Sequence, residues 1–151
     1  MSITHNYEVS LSWLSERQGI LGAPGLNSHI GVATPPEFPK GMPGIWSPEH
    51  LLVAAVSSCL MTTFLAIAEN SKLSFLNFSC NASGKLEMID GKYLITEITL
   101  MPVVSLINME EKEKAEKVLL KAEANCLISN SVRSKILFQP AVKILDGMAI
   151  I

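Results

Sequence analysis

Three cysteines, Cys59, Cys80 and Cys126, are the residues of this chain best suited to nucleophilic chemistry. A thiol attacks as its anion and has a free pKa of about 8.5, so a reactive cysteine needs a cation or a hydrogen-bond donor beside it. Cys80 lies in an alternating segment where Phe78, Cys80, Ala82, Leu86 and Met88 share one face, and there it reads as a small core residue. Cys59 and Cys126 each sit among small or polar residues: Ser57, Ser58, Thr62 and Thr63 around the first, Asn125, Ser129 and Asn130 around the second. They read either as a functional pair or as two ordinary buried thiols, and composition leaves both open. The reactive reading asks for a guanidinium to stabilise the sulfur anion and a carboxylate to hold that guanidinium; Arg17 and Glu49 are the candidates.

Other chemistries find less support. His5, His29 and His50 are isolated, there is no CxxC or HExxH, and the cysteines lack metal-ligand spacing. Ser57-Ser58 lacks the glycines of a nucleophile elbow, and there is no glycine-rich phosphate loop. A net charge of -2 with scattered Lys and Arg gives no footprint for nucleic acid or an anionic membrane. The start, Met1-Ser-Ile-Thr-His5, lacks the pattern of a signal peptide, and three cysteines are too few for a disulfide scaffold. A reducing cytoplasm is the expected setting.

The element that must position Cys59 is a long helix. Ser47 is a helix cap, Pro48 fits the first helical position, and Glu49 suits the positive end of the helix dipole. From Leu51 to Ala68 none of 18 residues is charged, which is the lower edge of a membrane span. Serines and threonines interrupt the run, no Lys or Arg cluster flanks it, and strand-like segments lie on both sides, so a central core helix is expected.

Before the helix, Tyr7, Val9, Leu11 and Trp13 alternate with polar residues as in a half-buried strand. Ile20-Leu21 and His29–Ala33 complete a three-stranded meander. Thr34–Trp46 holds four prolines and two glycines in 13 residues and must be a loop; its Phe38, Met42, Ile45 and Trp46 either line a pocket mouth or cover the core edge. After the helix, the Cys80 strand returns through an Asp90-Gly91 hairpin as a strand over Lys92–Met101. Asn108 and Glu111 fit a capping box, with Glu110/Lys114 and Glu113/Lys117 as four-residue pairs. Ala115, Val118, Leu119, Ala122 and Cys126 then follow helical spacing, and Ile136–Leu145, interrupted by Pro140, is expected as an edge strand. At 151 residues this predicts one α+β domain over 1–151.

The run Ser47-Pro-Glu-His-Leu-Leu-Val-Ala-Ala-Val-Ser-Ser-Cys59 closely resembles the motif of the OsmC/Ohr family of thiol-dependent peroxidases, where Pro-Glu-x-Leu-Leu leads to a catalytic cysteine. Ala-Asn-Cys126-Leu-Ile-Ser-Asn-Ser131 resembles the family's second cysteine motif. The resemblance implies an OsmC-like fold of antiparallel sheets around a central helix, built as an intertwined homodimer with sites between subunits. It implies Cys59 as peroxidatic cysteine, Cys126 as resolving cysteine, Glu49 as the ordering carboxylate and Arg17 as the arginine of the Ohr branch. The OsmC branch takes its arginine from the loop before the helix, where this chain has only Lys40, and the family's usual proline after the second cysteine is Leu127 here. On one straight helix Glu49 and Cys59 are roughly 15 Å apart, so a Glu49 acting at the site should come from a second copy.

The expected activity is reduction of organic hydroperoxides, or hydrogen peroxide, through a Cys59 sulfenic acid and a Cys59–Cys126 disulfide. No metal or other cofactor is needed; an external dithiol, of the lipoyl type by resemblance, regenerates the enzyme. The rivals are an OsmC-fold protein that binds an apolar ligand or senses peroxide, and an assembly protein without chemistry.

Overall fold

The computed structural model describes residues 2–145. They fall into two compact units that divide between Leu51 and Leu52, and each is taken by itself.

The first unit is a three-stranded antiparallel meander in the order β1-β2-β3, with β1 at Ser10–Ser15, β2 at Gln18–Gly22 and β3 at Ile30–Ala33. Glu16 takes φ 50° in the turn between β1 and β2, and Trp13 Nε1 donates to its carbonyl at 3.0 Å. Two expectations for the first strand are corrected. It begins three residues after Tyr7, and every residue of it is exposed, with Trp13 at 76%. Alternation marks a strand but cannot say whether its apolar side is covered within one chain. The Pro/Gly-rich loop is as expected, and Gly41 is required in it: a Cβ there would lie 1.9 Å from the Pro35 carbonyl oxygen. The loop ends as Trp46 pairs with Val32, and the Ala33 N–H donates to the Trp46 carbonyl at 2.9 Å.

Helix α1, Pro48–Asn70, starts where the sequence places it. Ser47 Oγ accepts the His50 N–H at 3.1 Å while the Ser47 N–H donates to His50 Nδ1 at 3.2 Å, a reciprocal cap with histidine where glutamate is usual. By length and composition α1 is apolar enough to cross a membrane. In the second unit, however, it contributes Val56, Leu60, Phe64 and Ala68 to the core, a stripe four residues apart. The uncharged run therefore has one covered face, and Met61 and Leu65 remain about 40% exposed rather than central as expected.

That stripe packs on Ile98, Leu100, Val104 and Leu106 of strand β5 (Lys92–Leu106) and on Ala115, Val118, Leu119 and Ala122 of helix α2 (Lys112–Ala124). Phe64 meets Phe75 edge-on at 5.3 Å and Phe78 at 4.8 Å between ring centroids. Burying a ring of this size contributes about 2–3 kcal/mol. Strands β4 (Asn77–Ile89) and β5 (Lys92–Leu106) form a long hairpin whose Asp90 and Gly91 both take positive φ, 51° and 78°, as a type I′ turn needs. A bulge between Lys85 and Leu86 breaks the expected apolar face of β4. Phe78, Cys80 and Ala82 are half-buried before it, whereas beyond it Glu87 is half-buried and Leu86 and Met88 are exposed.

β5 is longer than expected and is the central strand. The predicted last strand is two, β6 (Lys135–Phe138) and β7 (Ala141–Ile144), both parallel to β5, so this sheet is mixed. Their pairings stop at Leu100 and resume at Val103, which sets Pro140 against Pro102 at a shared break in the ladder. Asn108 Oδ1 accepts the Glu110 N–H at 2.9 Å to start a short 3-10 turn, and α2, Lys112–Ala124, follows. Lys114 pairs with Glu111 at 3.7 Å instead of Glu110.

Candidate functional site

α1 carries Cys59 one residue before Leu60 of the buried stripe, so the thiol lies on the flank of the helix and is half-buried. Cys126 is placed by the end of α2. Asn125 closes that helix, with Nδ2 donating to the Lys121 carbonyl at 2.8 Å. The chain then winds into a tight turn in which the Asn130 N–H donates to the Cys126 carbonyl and the Ser131 N–H to the Ile128 carbonyl, both at 3.0 Å. Cys126 is fully buried, and its Sγ donates to the Val56 carbonyl of α1 at 3.9 Å, three residues before Cys59.

This contact brings the two sulfurs together as neighbours. Around Cys59, burial pushes the thiol pKa up, but the donors outweigh it and the pKa falls below its ordinary value. Those donors are the Ile128 N–H, then the Cys126 thiol, the Thr63 hydroxyl and the Leu127 N–H. Thr63 Oγ1 lies 3.9 Å from the sulfur, one helical turn on. Cys126 moves the other way. Burial raises its pKa, the Ser129 hydroxyl and N–H oppose this, and the neighbouring Cys59 adds to the rise, as two anions side by side resist forming. The two neighbouring thiols are thus unequal, Cys59 the easier of the pair to ionise.

Cys80 is half-buried on β4; burial raises its pKa against one donor, the Met101 N–H. It stays a packing residue, as its alternating segment suggests.

Arg17 and Glu49 belong to the first unit. Arg17 is exposed in the turn between β1 and β2 and lines a cavity of about 330 Å³ with Leu11, Trp13, Val32 and Thr34. Phe38, Met42, Ile45 and Trp46 are not in the wall of that cavity. Glu49, second residue of α1, is half-buried and makes no ion pair with Arg17. Lys40 is exposed at φ 64° in the loop. Among the described residues no three His, Cys, Asp or Glu side chains converge as a metal site.

The model of the OsmC-like protein family matches residues 41–140, from the loop before α1 to the break before β7. The chain belongs to the OsmC-like family. Among solved structures it is similar to an OsmC-like protein of unknown function from Vibrio cholerae, at TM-score 0.80 and 26% identity, covering 91% of this chain and 99% of that one. It also resembles an organic hydroperoxide resistance protein from Elizabethkingia anophelis, at TM-score 0.76 and 19% identity, covering 96% and 100%. The uncharacterized protein YmaD of Bacillus subtilis is 22% identical over 138 residues, 89% of this chain and 91% of its own length. The α+β architecture, two sheets with the α1 helix, is that of the OsmC-like fold.

Sequence reasoning named Thr63 and Ser129 as polar neighbours but gave them no role. Thr63 was within reach of such reasoning, because a residue four ahead on a helix lies over the same face. The N–H groups of Leu127 and Ile128 were not, since a peptide donor has no side-chain signature.

Proposed function

We propose that this OsmC-like protein is a cysteine peroxidase that reduces organic hydroperoxides. The observation that carries the reading is the contact of Cys59 and Cys126 with opposite pKa shifts. The Cys59 thiolate attacks the terminal peroxide oxygen; the O–O bond breaks, the alkoxide leaves and takes a proton from water to become the alcohol, and Cys59 becomes a sulfenic acid that keeps the hydroperoxide's own proton. Cys126 then closes a disulfide with loss of water, and an external dithiol, of the lipoyl type, reduces it.

In this reading residues 1–151 act as one OsmC-like domain in the cytoplasm, and two copies build each site. Arg17 polarises the peroxide and Glu49 of the partner subunit orders that arginine. The apolar side chains left exposed on β1, Leu11 and Trp13, and on the outer face of α1, Met61 and Leu65, support burial against a second copy. The names of structural neighbours as organic hydroperoxide resistance proteins support the substrate class.

The test is turnover of a cumene-type hydroperoxide with a dithiol present, coupled to non-reducing peptide mapping after one equivalent of peroxide. Continuous consumption and a Cys59–Cys126 crosslink are expected. One stoichiometric oxidation would favour a sensor, and a missing crosslink would remove the resolving role of Cys126.

A further inference from the structure

Ser129 is the one buried polar side chain of the described residues whose hydroxyl finds no hydrogen-bond partner of ordinary geometry. It is only 8% exposed, and an orphaned hydroxyl at such a place is costly, about 1–3 kcal/mol. Its position is fixed by the turn that follows α2. The bond from the Asn130 N–H to the Cys126 carbonyl coils residues 126 to 130 into one helical turn, and on such a turn residues three apart lie over the same face. Ser129 therefore lies over the Cys126 side of the turn, where its hydroxyl acts on that sulfur.

We infer that Ser129 is a catalytic residue of the resolving step: its hydroxyl stabilises the Cys126 thiolate as that sulfur attacks oxidised Cys59. This rests on the peroxidase reading above. In the step, a Cys126 lone pair forms the S–S bond to Cys59 and the S–O bond of the sulfenic acid breaks. The oxygen leaves as water, carrying the proton given up by Cys126; Cys126 is oxidised, the Cys59 sulfur is reduced, and Ser129 is unchanged. A fully buried thiol needs this help more than Cys59 does, because it must ionise where water cannot solvate it. In resting protein the hydroxyl has no bond of full strength to lose, so it is available when charge develops on the sulfur.

The experiment follows disulfide closure after rapid mixing with one equivalent of cumene hydroperoxide, in wild type, Ser129→Ala and Ser129→Thr. Closure is expected to slow about tenfold in Ser129→Ala, the loss of one hydrogen bond to a charged group, and to recover in Ser129→Thr. A second arm needs no peroxide. In Cys59→Ser protein, the pH of half-maximal Cys126 alkylation should rise by about one when Ser129→Ala is added, and not with Ser129→Thr. Unchanged closure or an unmoved alkylation profile in Ser129→Ala would overturn the role of Ser129. Failure of wild type to form any sulfenic acid would overturn the peroxidase reading instead, with the alkylation arm still deciding whether the hydroxyl tunes Cys126.

Discussion

Cys59 and Cys126 are the same chemical group in contact, yet their surroundings push them in opposite directions. Cys59 is half-exposed, and peptide N–H groups of residues 127 and 128 with the Thr63 hydroxyl reach it; Cys126 is fully buried and has Ser129. The N–H groups of Leu127 and Ile128 have no backbone acceptor among the described residues, so the tight turn after α2 leaves two strong donors for a sulfur on another element. Which thiol of the pair ionises more readily thus depends on where a turn exposes its amides. Both thiols depend on one core, since Val56, Leu60 and Phe64 hold α1 while Leu119 and Ala122 hold the helix that leads to Cys126.

The largest test of the asymmetry exchanges each thiol for a hydroxyl. Cys59→Ser should lower hydroperoxide turnover by about a thousandfold or more, because the alkoxide is not accessible near neutral pH. Cys126→Ser should still be oxidised once, and its Cys59 sulfenic acid should persist long enough for a dimedone-type probe to label it. Equal losses with no trapped sulfenic acid would show that the two sulfurs do not divide the work.

Next in size is the support beneath the pair. Phe64→Ala removes the ring between Phe75 and Phe78 and should destabilise the fold by about 3–5 kcal/mol in urea titration. Ser47→Ala, which deletes the cap on α1, should cost only about 1 kcal/mol, because tertiary packing holds the rest of the helix.

How much of this was visible in the sequence differs from element to element. The Ser47-Pro48 start of α1 and the Asp90-Gly91 hairpin are local devices, fixed by a cap and by two positive φ angles, and they stand where the residues place them. The bulge at Lys85/Leu86 and the parallel strands β6 and β7 were hidden, because register and strand order depend on partners far away in the chain. Cys126 was legible as the end of an apolar helical stripe. Its contact with Cys59 was not, since that rests on a turn whose deciding groups are main-chain.

Alkylation across pH sharpens the comparison further. Cys59 should reach half its maximal rate below the free thiol value of about 8.5, and Cys80 and Cys126 above it. The signs carry over to stability. The lowered pKa of Cys59 adds stability above the unfolded thiol value, and this is lost as pH falls through the folded one. The raised pKa of Cys80 adds stability below the unfolded value, lost as pH rises through the folded one, so a Cys80→Ala variant should be less sensitive to alkaline denaturation than wild type.

The smallest expected effect separates the two kinds of donor at Cys59. Thr63→Val removes a hydroxyl 3.9 Å from the sulfur, and Leu127→Pro removes a peptide N–H while leaving an exposed side-chain position apolar. Each should raise the pH of half-maximal Cys59 alkylation by less than about one, with little effect on Cys126. Proline also disfavours the helical region at the residue before it, so Leu127→Pro tests whether the turn can keep Cys126 in place with one donor fewer. If Thr63→Val and Leu127→Pro leave Cys59 unmoved singly and together, the Ile128 N–H and the Cys126 thiol suffice to hold the anion. The asymmetry would then belong to the pair and the single amide that bridges them.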